Sequence, residues 1–172
     1  MVHGGTLVPR KNHRFGFGGS EPVLVGPDVL FHAWSFSSPL TEPAWDLLEN
    51  GELFPVITAS ELAIFFGLLR GATDVDRRAQ AEYWSKHLSL MVGVLRYENK
   101  FGLQIPRAVV RFRLTDARVA HATTLLAMRH WGVQRYFTFA RSSMLWLSEG
   151  TGISVEIPPG GRELLGPDEV TD

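Results

Sequence analysis

Apolar and polar positions follow two different periods along the chain, and the period predicts each element. Val23 to Val25 and Val29 to Phe36 are short apolar runs separated by Gly26-Pro27-Asp28, which predicts two extended pieces joined by a turn. From residue 41 the spacing changes to three and four. Thr41 ahead of Glu42-Pro43, with Asn50-Gly51 as a stop, predicts a short helix that buries Trp45 and Leu48. Thr58-Ala59-Ser60-Glu61 has capping-box spacing: the threonine oxygen accepts an amide of the first turn and the glutamate reaches back, with Gly71 as the C-terminal stop. Thr73, Asp74 and Asp76 then start a longer helix. Its apolar side runs through Val75, Ala79, Tyr83, His87, Leu90, Met91, Val94 and Leu95 and ends near Asn99 to Gly102.

The second half is more ambiguous. After Pro106, Val110, Phe112 and Leu114 alternate with Arg111 and Arg113 as in a strand, whereas Arg107 and Arg111 share a helical face; the neighbouring helices favour helix. Thr115-Asp116 caps a further helix that runs to Trp131 and stops at Gly132. Val133 to Leu147 keeps helical spacing, although Tyr136 to Phe139 also has strand propensity. Ile153, Val155 and Ile157 alternate with Ser154 and Glu156, a strand closed by Pro158-Pro159-Gly160-Gly161. Together these predict a mainly α single domain of about five helices, with minor β strands at 23–36 and 153–157. An α+β fold is the alternative if 109–114 and 136–139 are strands. Residues 1–22, punctuated by glycine and proline, read as a flexible basic arm, 23–161 as the domain, and 162–172 as an acidic tail.

Composition narrows the classes. At 172 residues and 45% hydrophobic, the chain can bury one sizeable core. It has no cysteine, which excludes disulfides, thiolate metal sites and a cysteine nucleophile. There is no signal-peptide pattern and no membrane-length apolar run, so the expected location is intracellular or within a virion, away from membranes.

Charge changes the picture most. The net charge of −1 conceals an acidic stretch, 21–69, with no basic residue, and a basic stretch, 96–141, that carries eight arginines and one lysine. Interleaved aromatics suit phosphates and bases together. The candidate nucleic-acid site is Arg107, Arg111, Arg113, Arg118, Arg129, Arg135 and Arg141, with Tyr97, Phe112, Trp131 and Tyr136 for stacking and Arg10, Lys11 and Arg14 as arm contacts. Pairing of these arginines with the acidic segments, within one subunit or between neighbours, is the competing reading. The resulting expectation is a non-enzymatic, self-assembling protein, like a coat protein or nucleoprotein, that binds RNA in preference to DNA and associates through opposed charge blocks. The alternatives are a small enzyme or binding domain for an anionic metabolite, and a helical adaptor subunit.

Other chemistry is sparse in the pattern. The six histidines include no His-x-x-x-His or His-Glu-x-x-His spacing, so neither a metal nor another cofactor is expected. No serine stands in a Gly-x-Ser-x-Gly or Ser-x-x-Lys frame. An acid–base pair such as Glu98 with His121 depends on proximity that spacing does not determine.

Overall fold

The computed structural model describes residues 19–35, 37–72, 86–88, 90–95, 99–114, 117–149 and 151–165. Its centre is a five-stranded, wholly parallel sheet in the order β3-β2-β1-β4-β5. The strands are β1 (Glu21–Val25), β2 (Leu53–Thr58), β3 (Gly93–Leu95), β4 (Arg135–Phe137) and β5 (Ser154–Glu156). Seven helices are described: α1 (Pro27–Trp34), α2 (Thr41–Leu48), α3 (Ala59–Ala72), α4 (Asn99–Arg111), α5 (Ala117–Ala120), α6 (Ala122–Trp131) and α7 (Arg141–Met144). This α/β arrangement corrects the expectation of a mainly helical domain with minor strands.

The correction has a definite cause. A parallel strand with helices on both sides is buried on both faces, so it reads as a short unbroken apolar run and not as an alternation. Val23, Leu24 and Val25 are all fully buried. Their neighbours separate them: Val23 and Val25 pack into one apolar cluster with Val29, Leu30, Leu47, Ile57 and Phe65, whereas Leu24 joins a second cluster with Val56, Leu125, Met128 and Tyr136. Ile57 and Phe137 face the first cluster while Val56 and Tyr136 face the second, as the two-residue period of a pleated strand requires. The molecule therefore has three layers, with one core on each face of the sheet.

Four segments differ from their sequence pattern. Gly93–Leu95, at the end of the helix expected from Thr73, is strand β3, and residues 73–85 of that expected helix lie outside the described residues. Residues 29–34, expected to be extended, form α1, because Pro27 fits the first helical turn and Val29, Leu30 and Ala33 share a buried face. β2 contains Pro55, a residue that argues against an inner strand, and was hidden by it. Within 133–147, which reads as one helix, Arg135–Phe137 is a strand and only Arg141–Met144 is α-helical. Of the expected elements, α2, the start of α3 and β5 fall where expected, and Gly132 ends α6 with a left-handed φ of 70°. α3 continues through Gly71 to Ala72, the ambiguous stretch at 107–111 belongs to α4, and the helix expected from Thr115 to Trp131 is broken into α5 and α6 around His121. At the edge of the sheet, Gly93 lets β3 approach its neighbour, since a Cβ there would lie 2.7 Å from the Phe54 ring.

Candidate functional site

Chain order reverses in the sheet between β1 and β4: from β1 the chain moves outward through β2 to β3, then returns to the other side for β4 and β5. Doubly wound sheets bind ligands outside the carboxyl ends of the strands at such a reversal. Here the protein's own side chain spans that place. Asp28, in the first turn of α1, directs Oδ2 across to the segment after β4, where it accepts from the Thr138 hydroxyl (2.8 Å), the Phe139 amide (2.6 Å) and the Ala140 amide (3.1 Å). Gly26 makes room, because a Cβ there would stand 2.4 Å from Asp28 Oδ1 and 3.1 Å from the Tyr136 hydroxyl.

One strand over, the end of β2 builds a second polar cluster. Thr58 Oγ1 accepts from the Glu61 amide at 3.2 Å, the first half of the capping box read from the sequence. The second half is absent: Glu61 does not reach back along α3 but crosses to α6. Its Oε1 accepts from the Thr124 hydroxyl at 2.9 Å and lies 3.0 Å from His121 Nδ1. Thr58, Ser60, Thr123 and Thr124 link their hydroxyls alongside at 2.9–3.5 Å. Glu61 is completely buried, and among the described residues its Oε2 has no hydrogen-bond partner; neither does Asp28 Oδ1. Burial pushes the Tyr136 phenol well above its ordinary range, and the charges of Glu61 and Asp28 push it the same way. Among the described residues, no group of three or more histidines and carboxylates could hold a metal ion.

A third feature uses the arginines. Arg111, Phe112, Arg113, Arg118 and Glu149 line an open cleft of about 340 Å³. The Arg111 and Arg129 guanidinium carbons each lie 5.5 Å from the centre of the Phe112 ring, and that of Arg118 lies 6.0 Å from Trp146. Arg113 has a φ of 50°, a left-handed backbone that costs a side-chain-bearing residue about 1–2 kcal/mol. The cause is the end of α4: the Arg113 amide donates to the Val110 carbonyl at 3.3 Å and the Leu114 amide to the Val109 carbonyl at 2.9 Å, a Schellman arrangement that puts Arg113 in the left-handed position closing the helix.

The expected arginine surface is thus divided. Arg107, Arg111, Arg113, Arg118 and Arg129 are exposed, and among the described residues none has a carboxylate within ion-pair distance. Arg135 follows the competing reading. It makes a bidentate pair with Glu156 (2.9 and 2.7 Å) and a third contact with Glu21 at 3.3 Å. Hydrogen bonding to Arg135 holds the Glu156 carboxyl below its ordinary range, and the same bond raises the guanidinium. Arg141 donates to the Val155 carbonyl at 3.3 Å. Tyr136 is buried in the core, so it is not a surface platform for a base, and Trp131 is half-buried against the α6 cluster. Tyr97, Arg10, Lys11 and Arg14 lie outside the described residues, as does Glu98. His121 does have an acidic partner, but it is Glu61, 60 positions away in sequence. Only the capping-box spacing drew attention to Glu61 beforehand, and for a different reason.

Fold and site together define a doubly wound α/β domain with polar groups at the carboxyl ends of its strands and an arginine cleft nearby. No family model matches the chain, and no curated protein matches it. Among the described residues, no helix is long and apolar enough to cross a membrane.

Proposed function

We propose that the chain is a nucleic-acid-binding protein that holds single-stranded RNA in the cleft of Arg111, Arg113 and Arg118. The observation that carries this reading is the convergence of three exposed arginines on one cleft with Phe112 in its wall. Guanidinium groups bind phosphate oxygens in pairs, and an aromatic flanked by two arginines offers a base a surface to stack on. Asp28 already fills the hydrogen-bonding positions beyond β4, which favours the cleft over the strand ends as the place for a large anion.

Self-association is the second part of the proposal. Glu42, Asp46 and Glu49 recur at helical spacing along α2 and its end, all exposed, and suit the exposed Arg107 and Arg111 of another copy. Binding is tested by anisotropy of a labelled single-stranded RNA over a range of salt. Affinity falls with a log–log slope of roughly −0.7 for each phosphate neutralised. The triple variant Arg111→Ala, Arg113→Ala, Arg118→Ala is expected to lose most of that slope. No binding by the wild-type protein at low salt, or an unchanged slope in the triple variant, sinks the reading.

A further inference from the structure

The Glu61–His121 pair does not line the arginine cleft but is linked to it through Arg118, one of the cleft's lining residues. His121 and Arg118 are three residues apart, the His121 amide donates to the Arg118 carbonyl at 3.1 Å, and both side chains flank the same indole. The Arg118 guanidinium carbon is 6.0 Å from the Trp146 ring and the His121 ring is 6.1 Å from it, centre to centre. Glu61 is fixed from two sides, by the Thr124 hydroxyl and by His121, with its side chain 1% exposed while that of His121 is 21% exposed. A carboxylate that accepts from Nδ1–H sets the tautomer and the ring orientation, so Nε2 carries the lone pair. A partly exposed imidazole held in this way by a buried carboxylate is equipped to act as a general base.

We infer that His121, oriented by Glu61, is the general base of a ribonuclease reaction on RNA held in the arginine cleft; this rests on the RNA-binding reading above. The 2′-hydroxyl gives its proton to His121 Nε2 as its oxygen attacks the adjacent phosphorus. The P–O2′ bond forms and the P–O5′ bond breaks. The departing 5′-oxygen takes a proton from water, and the hydroxide left behind takes the proton from His121. The products are a 2′,3′-cyclic phosphate and a 5′-hydroxyl, and the enzyme returns to its starting state. Arg118, with Arg111 and Arg113, stabilises the negative charge that grows on the non-bridging oxygens. Glu61 is a positioning residue: it acts through His121 and does not touch the substrate.

The test uses the full chain, a 5′-labelled single-stranded RNA and its all-deoxy analogue. The RNA is expected to be cut, leaving 2′,3′-cyclic phosphate ends, while the deoxy analogue binds and stays intact. His121→Asn, purified identically so that a contaminating ribonuclease would show, should lower the cleavage rate by about 100-fold or more. Glu61→Gln should lower kcat more than it changes KM and should alter the pH profile of cleavage. RNA that binds but stays whole overturns this inference and leaves the binding reading standing. Fragments with a 5′-phosphate, equal cutting of the deoxy analogue, or full activity in His121→Asn overturn it as well. Failure of both oligonucleotides to bind overturns both readings. The comparison of the two oligonucleotides uses only the wild-type protein, so it stands even if a variant does not fold.

Discussion

Arg113 combines a backbone cost with a place in the wall of the arginine cleft. Its left-handed φ of 50° is a conformation that glycine adopts without penalty. Arg113→Gly is therefore expected to leave stability unchanged or raise it by up to about 1 kcal/mol in chemical unfolding, while weakening RNA binding. Arg135 should behave in the opposite way, since its guanidinium is committed to Glu156 and Glu21. Because the Glu156 carboxyl is held below its ordinary range, the pair's contribution is present above the unfolded carboxylate range and is lost as pH falls through the depressed folded value. Thermal melts between neutral and acid pH should show a shallower loss in Glu156→Gln than in the wild type. Tyr136 gives the reverse sign. Its raised phenol contributes stability that is present below the unfolded value and lost as pH rises toward the folded one. Melting temperatures on the alkaline side should therefore fall less steeply in Tyr136→Phe.

At the scale of elements, burial on both faces of the sheet decides how much was legible. Helix α2 announces itself through a surface half, Glu42, Asp46 and Glu49, against a buried half, Ala44, Leu47 and Leu48. β5 is legible for the same reason, with Val155 buried between the exposed Ser154 and the partly exposed Glu156. β2 and β4 have no such contrast, because neighbouring residues are buried in different cores. β3 is three residues long and ends a stretch whose spacing of three and four reads as helix. Its position rests on Gly93. Gly93→Ala should force the Phe54 ring to move and destabilise the fold by about 1–3 kcal/mol, and Phe54→Leu in the same chain should recover part of that loss. If Gly93→Ala unfolds at the same denaturant concentration as the wild type, the close approach is not a constraint.

For the whole molecule, the question left by the sequence was whether the arginines meet acids or solvent. The answer differs by residue: Arg135 is paired, and the arginines of the cleft are exposed. If copies associate through the acidic face of α2 and the basic face of α4, sedimentation of nucleic-acid-free protein should show oligomers at low salt that dissociate as salt rises. Arg107→Glu and Asp46→Arg should each weaken association, and mixing the two variants should restore it in part. A monomer at every salt concentration rules out that contact.

Taken by itself, the sequence determined a cysteine-free chain with one core's worth of apolar residues, the helix start at Thr41, the helix cap at Thr58, the stop at Gly132, and the separation of basic from acidic segments. Those are local properties, set by residue type, spacing and backbone preference. Only the tertiary structure decided that the strands are parallel and central, that Asp28 reaches Thr138, and that Glu61 holds His121. Parallel neighbours are joined by crossovers, so the partners of each strand and each polar side chain are distant in sequence. Periodicity over a short window records which residues are buried but does not say against what.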